Sequence, residues 1–153
     1  MALDPIQVQD ALLALVQGSL TLGAYCKTVA VYQGGFSPEA LATVGQVYRY
    51  PAALLVYDSS TGELNPSRVT RITERHNLLL ADQNYRGIAG VLRGDAQNIG
   101  VHQMLIDARG LLLGKQLFSD ASSLRFEGET LLYSDSSLVI YQSSYSIYYF
   151  HTV

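Results

Sequence analysis

The sequence predicts an α+β domain, a single mixed, largely antiparallel sheet flanked by helices in the order α-β-α-β-β-α-β-β-β. Three observations carry that expectation. Segments with helical spacing and clear start signals alternate with short apolar runs of strand length. The last forty residues are rich in β-branched and aromatic residues broken by turn formers. The chain of 153 residues is the size of one domain, 1–153, able to bury a core without disulfides or metal, and it holds no internal repeat.

Asp4, Pro5 and Gln7 form a capping box with proline at the first helical position, and Val8, Leu12, Leu13, Leu15, Val16 and Leu20 follow at helical spacing. After Gly23, Thr28 to Tyr32 reads as a strand ended by Gly34 and Gly35. Ser37, Pro38 and Glu39 open a short helix through about Val47, supported by Ala40, Leu41 and Val44. Past Pro51, the unbroken apolar run Ala52 to Tyr57 has the pattern of a strand covered on both faces.

Asp58 to Ser67 collects Ser, Thr, Gly, Asn and Pro, and is expected to be a loop, or the tip of a long hairpin. Val69 to Ala81 reads as a strand in which Ile72, His76, Leu78 and Leu80 share a parity and the arginines divide between faces. Glycines and arginines from Tyr85 to Gly94 suggest an adaptable loop. Asp95 or Asn98 is expected to cap a second long helix with Val101, Leu105, Ala108 and Leu112 on one stripe and Gly114 as its stop. Three strands are expected to close the chain: Leu124 to Phe126, Thr130 to Tyr133, and the unusually long Leu138 to Phe150.

Composition narrows the function classes. Charged residues are only 15% and apolar ones 48%, so more uncharged surface than usual awaits a partner. Eleven Tyr add contact area with few rotatable bonds. A net charge of −3 disfavours direct DNA binding, which relies on basic residues to displace counterions. Residues 67–93 nonetheless hold Arg68, Arg71, Arg75, Arg86 and Arg93 against Glu74 and Asp82, a basic segment that could meet acidic flanks of a neighbouring subunit. No stretch approaches a membrane span and no signal-peptide core is present, so a cytoplasmic life is expected.

Catalytic patterns are missing. His76, His102 and His151 lack the spacing of a helical zinc site, and Cys26 is a lone thiol read as buried and inert. Gly110, Gly114 and Lys115 fall one residue short of a phosphate loop, and Gln116 replaces its hydroxyl. No enzyme, cofactor or metal is expected. The competing reading from another class is a small ligand-binding or hydrolytic domain built on Asp58, His76 and His102.

Several segments together resemble the Mu-like phage family of tail-completion proteins, the tail terminators. They are the N-terminal helix, Val-Tyr-Gln-Gly-Gly-Phe at 31 to 36, Tyr-Pro-Ala at 50 to 52, the arginine-containing loop from Asn84 to Gly94, and Ile-Gly-Val-His-Gln-Met-Leu-Ile-Asp at 99 to 107. The resemblance implies a virion protein, assembled in the host cytoplasm, that forms a ring of six chains on the head-proximal end of the tail tube. There it would halt tube growth and present a surface for head joining. Its implied partners are copies of itself, the tube protein, a head-completion or neck protein and the tail sheath, with DNA passing through the lumen without specific binding. A head–tail neck adaptor is the nearest alternative. Subunit or partner contacts are expected at Gly34, Gly35 and Phe36, at Arg86 and Arg93, and at Tyr145 and Tyr148 of the last strand.

Overall fold

Asp4 caps the first helix as the sequence predicts: the Gln7 N–H donates to Asp4 Oδ1 at 2.8 Å and the Asp4 N–H to Gln7 Oε1 at 3.0 Å. In the computed structural model, which describes residues 3–83, 92–94 and 100–152, that helix, α1 (Pro5–Gln17), buries Val8, Leu12 and Val16. A single turn, α2 (Leu22–Tyr25), follows where no helix is expected. Four residues leave no periodic signal, and the turn is held by tertiary packing: a Cβ on Gly23 would stand 2.3 Å from the Gln17 carbonyl.

Strand β1 (Thr28–Val31) leads to α3 (Pro38–Val47), whose N-cap Ser37 accepts from the Ala40 N–H at 3.1 Å. Strand β2 (Ala52–Leu64) then runs well past Tyr57, and β3 (Val69–Gln83) pairs antiparallel with it as far as Leu64↔Thr70. The expected loop from Asp58 to Ser67 is therefore mostly strand. Its polar composition reflects a solvated ribbon, because a paired backbone needs no apolar side chains where both faces meet water. The connection itself is short and closed by Asn65, whose Oδ1 accepts from the N–H groups of Ser67 and Val69, both at 3.1 Å. Arg68 lies in this turn at φ 62, leaving Arg71 and Arg75 on one face of β3 rather than divided between faces.

Helix α4 (Val101–Leu112) starts after Gly100, at φ 87, whose N–H donates to the buried carboxylate of Asp82 at 3.2 Å. The expected caps Asp95 and Asn98 lie outside the described residues, but the N-cap position belongs to Gly100. The two short strands expected near 124–133 are one, β4 (Arg125–Ser134), continuous through Gly128 at φ 141 and carrying two register shifts. Strand β5 (Leu138–Thr152) completes a five-stranded sheet of order β1-β2-β3-β5-β4, with β1 parallel to β2 and the other pairs antiparallel.

Helices cover both faces at one end of this sheet. Helices α1, α2 and α4 pack on Ala53, Leu55, Leu78, Leu80, Val139, Tyr145 and Ile147. Helix α3 packs on Ala52, Leu54, Leu79, Ala81, Leu138 and Ile140. The alternation explains why the Ala52–Leu55 run has no polar member: each parity has its own apolar layer. Beyond the helices β2, β3 and β5 continue as a three-stranded ribbon, in which the second half of β2 is exposed to water while β3 exposes only Arg71 and Arg75.

Candidate functional site

The turn after β1 is organised by Tyr32. Its hydroxyl donates to the Gly35 carbonyl at 2.6 Å, and its ring meets Phe36 edge-on with centroids 5.6 Å apart and Tyr48 at 6.4 Å. A Cβ on Gly34 would lie 2.4 Å from the Tyr32 hydroxyl, so the ring can fold over the turn only because position 34 has no side chain. Burial pushes the Tyr32 phenol above its ordinary pKa. Around it lies a shallow 190 Å³ pocket bounded by Gly34, Gly35, Val44, Val47 and Tyr48. Phe36, 48% exposed, and Val47 stand out from this cluster into solvent.

The other expected contact residues fall elsewhere. Arg93 is exposed and lies near the start of α4, where its neighbour Gly94 packs against Gly100; Arg86 lies outside the described residues. The start of α4 is tied to Asp82, at the end of β3 beside Ala52, whereas Gly34 to Phe36 follow the opposite end of β1, beside Leu55. The sheet thus separates the Gly34–Phe36 turn from the start of α4. Tyr148 is half-buried on the ribbon, beneath the Arg71 guanidinium at 5.5 Å and edge-on to the exposed Phe150 at 6.0 Å.

Tyr145 is a correction. It is 2% exposed, packed with Val139 and Ile147 under the helices, with its hydroxyl accepting from Ser143 at 3.0 Å, and so is core rather than contact surface. Both parities of β5 are apolar, and only the placement of the helices separates a core tyrosine from a surface one. The basic segment is also partly neutralised within the chain: Arg71 pairs with Glu63 at 3.0 Å and Arg75 approaches Glu127 at 3.8 Å.

A cluster that sequence reasoning did not single out lies under the ribbon. Glu74 is fully buried; its Oε1 is 2.8 Å from His76 Nε2, and its other oxygen accepts from the Tyr149 hydroxyl. Burial, and next the bond to Glu74, raise the Tyr149 phenol far above its ordinary pKa. Tyr57 leans on the imidazole at 5.3 Å between centroids, and His76 Nδ1 is buried without a hydrogen-bond partner among the described residues. A signal existed in the alternation Glu74, His76, Leu78, Leu80, which puts the carboxylate on the core parity.

This cluster does not extend to a hydrolytic centre. His102 packs edge-on against Tyr141, 6.1 Å away, and Tyr141 pairs with Leu80, four residues along β3 from His76, a span of about 13 Å at strand rise. Asp58 is exposed at the β2 bulge, while His76 is sealed beneath. Asp58, His76 and His102 therefore do not converge. Among the described residues no three His, Cys, Asp or Glu side chains are grouped to hold a metal ion. Burial, with Asp82 and Asp107 adding to it, pushes the half-buried Cys26 thiol up to about 12, which leaves almost no thiolate near neutral pH. Among the described residues no helix is long and apolar enough to cross a membrane.

No curated protein matches the chain. The family described as Bacteriophage Mu, Gp37 matches residues 5–150, from the first residue of α1 to near the end of β5, and so takes in all but the last two residues of the sheet, with its helices. The chain belongs to the Bacteriophage Mu Gp37 family.

Proposed function

We propose that the chain is a structural virion protein, the tail terminator of a Mu-like phage, which assembles as a ring of six on the head-proximal end of the tail tube, stops its growth and offers the surface for head joining. The observation that carries this reading is the family match across residues 5–150. It is supported by exposed contact chemistry spread over the molecule, from Phe36 and Val47 at the β1–α3 turn to Tyr148 and Phe150 on the ribbon, with no converged reactive centre in the candidate set. Gly34, Gly35, Phe36, Arg86, Arg93 and Tyr148 are the proposed contacts with neighbouring copies or the tube.

The test is tube growth. Purified chain added to polymerising tail-tube protein should bind tube ends and halt elongation, and light scattering should find a species of six chains. Tubes that grow to the same length with and without the chain would refute the terminator role. Binding to finished tails without any halt would point instead to a neck adaptor.

A further inference from the structure

Among the described residues the five-stranded sheet has two open edges. Strand β1 pairs with β2 only from Ala52 to Leu55, and the Tyr32 N–H reaches the Leu55 carbonyl, so among the described residues β2 has no strand on that side from Tyr57 to Leu64. All eight of those residues are exposed. At the other end of the strand order, β4 pairs with β5 alone. An unpaired edge is a row of unmet backbone donors and acceptors that an extended segment satisfies.

Two features favour a second copy as the source of that segment. The first is direction: β2 runs antiparallel to β3, β3 to β5 and β5 to β4, so β4 runs opposite to β2. A neighbour related by rotation with its strands aligned therefore presents β4 antiparallel to β2. The second is charge. Glu63 on the free stretch of β2 is paired with Arg71, and Glu127 and Glu129 on β4 are paired with Arg75 and Arg109. What remains is Asp58, the extra residue of the β2 bulge between Tyr57 and Ser59, and Arg125 at the start of β4; both are exposed, and among the described residues neither has an ion pair or side-chain hydrogen bond. Each open edge thus keeps one unsatisfied charge, and the two are of opposite sign.

We infer that copies of this chain join head to tail, with the Tyr57–Leu64 edge of β2 receiving the β4 edge of its neighbour and Asp58 facing the neighbour's Arg125. Such a contact uses different patches on the two partners, so it generates a ring when the rotation closes. The inference deepens the ring reading above and rests on it for closure.

The experiment is a charge swap read by analytical ultracentrifugation across a concentration series, with circular dichroism to verify the fold of each variant. Asp58→Arg and Arg125→Asp should each weaken association about tenfold, since each puts like charges face to face. The double variant Asp58→Arg/Arg125→Asp should return to within about threefold of the original chain. Single reversals that leave association unchanged, or a double variant as weak as the singles, would overturn the edge contact. If such variants still cap tail tubes, the terminator reading survives and only the edge is wrong. A chain that stays monomeric at every concentration would overturn the edge contact directly, and tube capping would then decide the terminator reading separately.

Discussion

Replacing Tyr149 with Phe should expose how much the buried carboxylate cluster contributes. The substitution keeps the ring among its neighbours and deletes only the hydroxyl that donates to Glu74. Leaving a buried acceptor without its donor costs about 1–3 kcal/mol, and Glu74 is fully buried. For a chain of this length that corresponds to a drop in Tm of roughly 3–9 °C. Glu74→Ala should cost more, since it leaves both the Tyr149 hydroxyl and the His76 imidazole without their partner. The decisive quantity is coupling: in the Tyr149→Phe background, Glu74→Ala should cost at least about 1 kcal/mol less than in the original chain. Urea unfolding of the four proteins, followed by far-UV circular dichroism, measures it. Additivity within about 0.5 kcal/mol would refute the argument that these side chains form one network.

Four further outcomes are expected. Gly34→Ala should displace the Tyr32 ring and free Phe36, read as increased tyrosine accessibility to iodination with at most about 1–2 kcal/mol lost in denaturant, because only the turn has to move. Cys26 should react with Ellman's reagent at pH 8 at least about a hundredfold more slowly in the folded chain than in urea, the thiol having been raised to about 12 by burial. Asp135 is held below its ordinary pKa, first by the Ser137 N–H and also by Tyr133 and Leu138. A lowered folded pKa gives stability that is present above the unfolded value and lost as pH falls through the folded one, so the difference between the original chain and Asp135→Asn should be greatest above about pH 4 and shrink progressively as pH falls below it through the lowered folded pKa, as followed by thermal melts. Asp4→Ala should remove the α1 cap and cost about 1 kcal/mol in urea unfolding.

What was legible in the sequence was what neighbours along the chain decide. Asp4-Pro5-Gln7 and Ser37-Pro38 specify helix starts because the capping atoms lie within three residues of their targets. The two parities of β5 and the two-sided burial of Ala52–Leu55 follow from side chains that alternate along a strand. The α+β class was accessible from the same local signals, while the phage family was legible only as a resemblance carried by whole segments such as residues 31–36 and 99–107.

Tertiary structure decided everything that depended on a distant partner. Tyr145 and Tyr148 carry the same chemistry three residues apart, and only the helices on one face make the first core and leave the second at the surface. Asp58 to Leu64 lacks any strand signature of its own and is a strand because β3, turned back by Asn65, supplies its ladder. Glu74 shares the core parity of β3, but its partner is visible only once β5 brings the Tyr149 hydroxyl across to it, 75 residues away. The open edge of β2 has no mark in the sequence either, since it exists only because β1 stops at Val31 while β2 continues to Leu64. Capping and alternation are written into residues next to one another, whereas pairing, burial and unpaired edges are properties of which segments fold back together, and those are set by packing over the whole chain.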